Sequence, residues 1–216
     1  MAARDTLPLV LGALGVGLAF AIAAGGKGNG GGGPLPNGGG GPLPNAPDVN
    51  WKDNGEPPEP LAVGQANDPE IDALLRQMDD LFTSSGVDLS HINAAAVTLM
   101  RKTDGFHAIP PVEYWPRMAA TLRYVFVPIR KALGVPIVIT SGYRPPDYNK
   151  KVGGKPGSRH QFFEALDMVA PGHARAQALA AARVFVANGA PLHMGFIVYG
   201  TPDAPTNIHV DTGWRK

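Results

Sequence analysis

The 216-residue chain contains no cysteine. Disulfides, thiolate metal ligands, a cysteine nucleophile and a lipid-modified N-terminal cysteine are all excluded, so any bound metal must be held by His, Asp or Glu. Net charge is also nearly absent, at +1. That balance hides an asymmetry: residues 1–100 hold four Lys/Arg against eleven Asp/Glu, and residues 101–216 hold fifteen against seven. A basic half suits an anionic polymer such as cell wall, a membrane surface or nucleic acid, and a mixed solvated surface accounts for it nearly as well. Aromatic residues make up only 7% of the chain, and no basic motif interleaved with aromatics occurs, so nucleic acid is not an expected partner. A phosphate-cradling loop is missing too. Gly28–Gly33 neither follows a strand nor opens a helix.

One long uncharged run is present, LPLVLGALGVGLAFAIAA at residues 7–24. Eighteen residues is the short limit for a membrane span and generous for a secretory signal, with Ala21-Ile22-Ala23 as a small-residue cleavage site. Residues 1–24 therefore read as a signal or a membrane anchor, with membrane as a partner if the segment is not cleaved. Residues 25–66 read as a linker. They contain GGGGPLPN at 30–37 and again at 38–45, a composition that cannot bury enough apolar surface to offset chain entropy. A flexible chain of that length spans about 35 Å root-mean-square, which suits a tether. Residues 67–216 remain as one folded domain, long enough for a real core.

Within that domain, residues 67–82 read as a helix capped by Asn67 or Asp68, with Pro69 in the first turn and Ile71, Leu74, Leu75, Met78 and Leu81 on one face. A short helix is expected over 91–101. A longer one is expected over 111–133, kinked at Pro128 and ended by Gly134. Strands are expected at 136–140, 164–169, 194–199 and 207–211, a helical turn around 146–152, and an Ala-rich helix over 173–188 ending at Gly189. The fold class is α+β: a small central antiparallel sheet flanked by helices.

The chemistry concentrates in PIVITSGYRPPDYNKKVGGKPGSRHQFFEALDMV at residues 136–169 and in the last strand. The first strand delivers Ser141-Gly142-Tyr143-Arg144 to its C-terminal end. Asp167 sits among Leu166, Met168 and Val169, where a carboxylate is costly unless paired or bound to a cation. His209 lies opposite the apolar Ile208/Val210 face and can point into a cleft. His160 lies on a loop. From spacing alone, His-x6-Asp fits a hydrogen-bonded histidine better than a ligand. Arg144 fits either a substrate-facing guanidinium or a salt bridge to Asp147 or another carboxylate. Tyr143 reads as packing and Gly153-Gly154 as loop geometry.

Residues 105–216 resemble the M15 zinc peptidases, the D-Ala-D-Ala carboxypeptidase and peptidoglycan endopeptidase group whose fold is shared with the hedgehog signalling domain. The resemblance runs through PPVEYWPRMAATLRYVFVPIRKALGVPIVITSGYR, YNKKVGG, the Ser158-x-His160-x4-Ala165-x-Asp167 block and HVDTG at 209–213. It implies zinc on His160, Asp167 and His209, with Arg144 binding substrate and the developing oxyanion. Such a site needs three protein ligands and an open position for water. Ser158 is expected to bind substrate or to hydrogen-bond its loop.

Two positions depart from the family. Phe163 stands where many members have Gly, three residues after the first His. Thr206 and Asn207 stand where relatives commonly carry an acid or base. Asp203, His193 and Asp211 are the substitutes within the chain; Asp211 shares the His209 face and suits either catalysis or support of a ligand. The resemblance implies a zinc metallopeptidase cutting amide bonds of peptidoglycan stem peptides. Its expected location is the periplasm or cell envelope, secreted or anchored, or alternatively a virion membrane in a phage-encoded version used in lysis or entry. The competing expectation is a catalytically weak or inactive zinc-binding module with a wall-binding or structural role.

Overall fold

A computed structural model of the chain describes the backbone of residues 9–11 and residues 46, 55–100, 105–201 and 204–213 in full. Leu9–Leu11 form β1, and Ala62–Gln65 form β2. Next comes α1 (Pro69–Ser84), opened by Asp68, whose carboxylate accepts from the N–H of Glu70 at 3.1 Å, and by Pro69 in its first turn. Its buried stripe is Ile71, Leu75, Met78 and Phe82. α2 (Ala94–Thr98) is capped by Asn93 and tied to α1 where Asp79 Oδ1 accepts from the N–H of Ala94 at 2.6 Å. β3 (Phe106–Ile109) pairs antiparallel with β2, as Ala62 opposite Ile109 and Gln65 opposite Phe106. Residues 62–65 thus belong to the folded domain and not to the linker expected over 25–66.

The helix expected over 111–133 forms in pieces. A 3-10 turn (Val112–Tyr114) leads into α3 (Trp115–Thr121), a π-helical turn (Leu122–Phe126) and α4 (Val127–Leu133). Pro128 has no N–H to give the carbonyl of Tyr124, and the side-chain Nδ2 of Asn188 donates to that carbonyl at 3.3 Å instead. The expected break is therefore absorbed as a wider turn, with Val127 N–H reaching back to Leu122 O. Gly134 closes α4 in the left-handed conformation at φ 65°.

β4 (Val138–Ser141), α5 (Pro146–Lys151) and β5 (Ala165–Val169) follow. α6 (Ala174–Leu192) runs past Gly189, where the sequence predicted its end, and ends at His193 in the left-handed conformation. Pro191, in the last turn, has no N–H for the carbonyl of Ala187, and the N–H groups of His193 and Met194 close the helix end onto Ala190 O and Gly189 O. β6 (Gly195–Thr201) and β7 (Ala204–Asp211) are the last described elements.

The main sheet has the order β1-β6-β7-β5-β4, every neighbour antiparallel. One face buries Leu166, Met168, Phe196, Ile208 and Val210 in a core shared with Met118, Leu122, Val125 and Ile129 of the helices and with Val184 of α6. The alternating residues Asp167, His209 and Asp211 face the other way. This is the α+β architecture expected.

Among the described residues no helix is long and apolar enough to cross a membrane. Of the segment read as signal or anchor, Leu9–Leu11 form an edge strand against Phe196–Val198. Residues 12–24, and the tandem repeat at 30–45, lie outside the described residues.

Candidate metal centre

Sheet register assembles two of the three expected ligands. Asp167 of β5 stands directly opposite His209 of β7, so both side chains project from the same face. The third, His160, arrives on a 3-10 turn (Arg159–Phe162). The loop before it is folded by its own backbone: Ser158 N–H donates to Lys155 O at 3.2 Å, and Gln161 N–H to Ser158 O at 2.9 Å. With its amide oxygen turned toward the loop, Gln161 also accepts from the N–H groups of Gly157 and Ser158, at 3.1 Å each. The turn is fixed to the end of β4, since Arg144 N–H donates to His160 O at 3.1 Å.

Phe163, where the resemblance implies a glycine, takes the left-handed conformation at φ 56° and ψ 36°. A glycine would adopt this backbone without steric cost. Here the ring is buried and packs edge-on against Tyr143, with centroids 5.8 Å apart, so apolar burial opposes the strain. Phe163 thus lies in the core below the centre.

The donor atoms of His160, Asp167 and His209 all lie within 4.8 Å of one another. His160 Nε2 is 3.2 Å from His209 Nδ1, which is 2.8 Å from Asp167 Oδ1. Two donors bound tetrahedrally at 2.0–2.1 Å sit about 3.3 Å apart, so the spacing fits zinc. The outer hydrogen bonds decide the tautomers. His160 Nδ1 donates to Gly142 O at 2.7 Å, and His209 Nε2 donates to Asp211 Oδ2 at 2.9 Å. Each ring then turns a lone pair inward, where the Asp167 carboxylate also points. Three acceptors converging in a buried space require a positive centre among them, a metal ion or a proton.

The titration behaviour agrees. Burial pushes the His160 imidazole down, and its hydrogen bond to Asp167 does not reverse this. Burial pushes Asp167 up, but hydrogen bonds and charge from His160 and His209 outweigh it and hold the carboxyl well below the usual range. Burial opposes charge on His209 as well, yet hydrogen bonds to Asp167 and Asp211 raise it to about 9.

Arg144 reaches this cluster. Its Nη2 is ion-paired with Asp167 Oδ2, and its Nε donates to Ser141 Oγ at 2.7 Å. The salt-bridge role considered for Arg144 is therefore formed, with Asp167 and not Asp147. Asp211 sits behind His209: Oδ2 holds the ring and Oδ1 accepts from the N–H of Gly195 at 3.2 Å. Of its two expected roles, the geometry matches support of a ligand. Gly195 makes room for it, because a Cβ there would lie 2.4 Å from Asp211 Oδ2. Gly142 is equally constrained, since a Cβ would lie 2.1 Å from Val97 O. Ser158 is half-buried and contributes its backbone to the loop. His193 caps α6, and Asp203 lies outside the described residues.

Sequence reasoning missed the frame around the centre. Glu164 is fully buried and ion-paired with Arg117 of α3 and, at 3.1 Å, with Arg159 beside His160. Its carbonyl accepts from Thr212 N–H at 3.0 Å, next to Asp211. Helix, metal loop and last strand therefore meet on one residue, the first two through its carboxylate and the last through its carbonyl. The signal available was a charged residue inside the apolar run FFEALDMV.

The family model described as Peptidase M15 matches residues 87–211, more than half of the chain and all of the residues of this centre. No curated protein matches the chain. With the donors brought together as that family's chemistry requires, and with the match running from the loop after α1 to the end of β7, the chain belongs to the peptidase M15 family.

Proposed function

We propose that this protein is a zinc-dependent metallopeptidase that hydrolyses amide bonds in peptidoglycan stem peptides. The observation that carries the reading is the convergence of three inward-facing acceptors whose tautomers are fixed from outside, at spacings that fit zinc. His160, Asp167 and His209 would hold the ion, which when bound supplies a water of lowered pKa and a polarising charge. The protein's own part is positioning. Gly142 O and Asp211 orient the two imidazoles, and Ser141 holds the Arg144 guanidinium beside the centre. From there Arg144 can donate to a substrate carboxylate or to the oxygen that gains charge. The basic half of the chain suits an acidic wall polymer, and the hydrophobic and linker segments suit delivery to the envelope or to a virion membrane.

A second reading, a zinc-binding module without catalysis, is favoured by the lack of a free base: Asp211 is engaged by His209 and Gly195, and neither Thr206 nor Asn207 can take up a proton at neutral pH. Metal content and release of stem-peptide fragments, measured together on the full chain and on His160→Ala, separate the two. About one zinc per chain, lost in the variant together with lysis, supports the enzyme. Zinc without product from several wall types supports the module, and no zinc overturns both.

A further inference from the structure

The face of the sheet that carries the metal donors continues beyond them. Tyr199 of β6 pairs with Asn207 of β7, and Ile197 pairs with His209. Tyr199 therefore projects from the His209 face, diagonal to His209 across the strand pair. Such diagonal neighbours are about 7–8 Å apart at the backbone, within reach of a phenol. The register shifts between Tyr199 and Gly200, and Gly200 has φ +92°, so a bulge follows Tyr199 directly. Bulges beside active sites re-aim a side chain.

Tyr199 is 36% exposed and belongs to no buried cluster. Among the described residues its hydroxyl has no hydrogen-bond partner. Burial, followed by the charges of Asp167 and Asp211, raises its phenol, while Arg144 lowers it; the charged groups it senses are those of the centre, and it stays protonated at neutral pH. A packing tyrosine would bury its ring and satisfy its hydroxyl, as Tyr143 does by donating to Pro58 O at 3.1 Å.

We propose that Tyr199 is a further catalytic residue, its hydroxyl donating a hydrogen bond to the carbonyl oxygen of the scissile amide from the side opposite the Asp167–Arg144 pair. The inference rests on the peptidase reading above. In the reaction the oxygen of water bonds to the carbonyl carbon and the C–N bond breaks. The nitrogen leaves with that electron pair and takes up a proton derived from water. Tyr199 keeps its own proton throughout and contributes only the hydrogen bond, which strengthens as the carbonyl oxygen gains charge.

The test uses the full-length zinc-loaded chain, Tyr199→Phe, and two phosphinate pseudopeptides replacing the amide of D-alanyl-D-alanine and of L-alanyl-D-glutamate. Zinc affinity, phosphinate affinity and affinity for the product amino acids are measured by calorimetry. The expected result is unchanged zinc affinity, about 100-fold weaker phosphinate binding and product binding within about threefold of the parent. Turnover should fall in kcat and not rise in KM. Equal phosphinate affinity in parent and variant overturns the inference and leaves the peptidase reading standing. Equal losses for phosphinate and product, or loss of zinc, assign Tyr199 to ground-state contact or packing and also overturn it. A parent that binds neither phosphinate overturns the peptidase reading, and this inference with it.

Discussion

The two faces of the main sheet are made by the same strands and do opposite work. In β5 and β7, Leu166, Met168, Ile208 and Val210 enter a dry core, while Asp167, His209 and Asp211, one residue out of phase, gather charge and lone pairs. A single-residue slip would exchange the two sets, so the core that fixes the register also fixes the metal donors. Stability and chemistry are thus coupled in position but separable in substitution, and this separation can be tested.

The largest effect is expected at a donor. Asp167→Ala should abolish stoichiometric metal binding and hydrolysis together while leaving a folded chain, as read by metal analysis and circular dichroism. Next is the buried frame: Glu164→Ala removes the carboxylate that two arginines share and should cost about 3–5 kcal/mol in urea unfolding, lowering metal affinity as the His160 turn loosens. On the core face, Leu166→Ala should cost about 2–5 kcal/mol yet keep one metal per folded chain, and loss of metal at full folding would break the comparison. Asp211→Asn should weaken metal affinity about 10–100-fold with little change in unfolding free energy.

The mildest lever is pH. His209 is raised to about 9, above its ordinary value of 6.5. Its protonated contacts therefore stabilise the metal-free fold fully below pH 6.5, and that contribution is lost as pH rises through about 9. Metal must displace this proton, so its affinity should rise about tenfold per pH unit up to that point, with one proton released per ion. Calorimetry in buffers of different ionisation enthalpy reads this, and pH-independent affinity between 7 and 9 would count against a proton held on His209 in the metal-free protein.

Much of this was legible in the sequence where the cause is local. The Asp68 cap, the Gly134 stop and the two-residue alternation that turns His209 away from Ile208 and Val210 are statements about neighbouring residues, and they hold. The donors His160, Asp167 and His209 do converge. What escaped is set at a distance. β2 lies in a segment of low apolar content and forms because β3 pairs with it. Glu164 reads as a surface acid until Arg117, 47 residues earlier, is placed against it. The departure at Phe163 was visible, but its left-handed backbone and its contact with Tyr143 were not. Helix α6 overran Gly189 because a single glycine inside a helix costs only about 1 kcal/mol, less than the packing it continues.

Pro128 and Asn188 show how a chain can become committed to its own past. Asn188 donates to the carbonyl that the proline cannot serve, and its Oδ1 accepts from Ala46 N–H at 3.3 Å. Asn188→Leu should be harmful while the proline remains and less so once Pro128→Ala restores the missing donor, when only the Ala46 N–H loses its partner. Neither substitution says what the other residue is worth, so single-site scans will rate Asn188 as indispensable. A lineage that lost the proline first would be free to discard the asparagine, and one that tried the reverse order would stall.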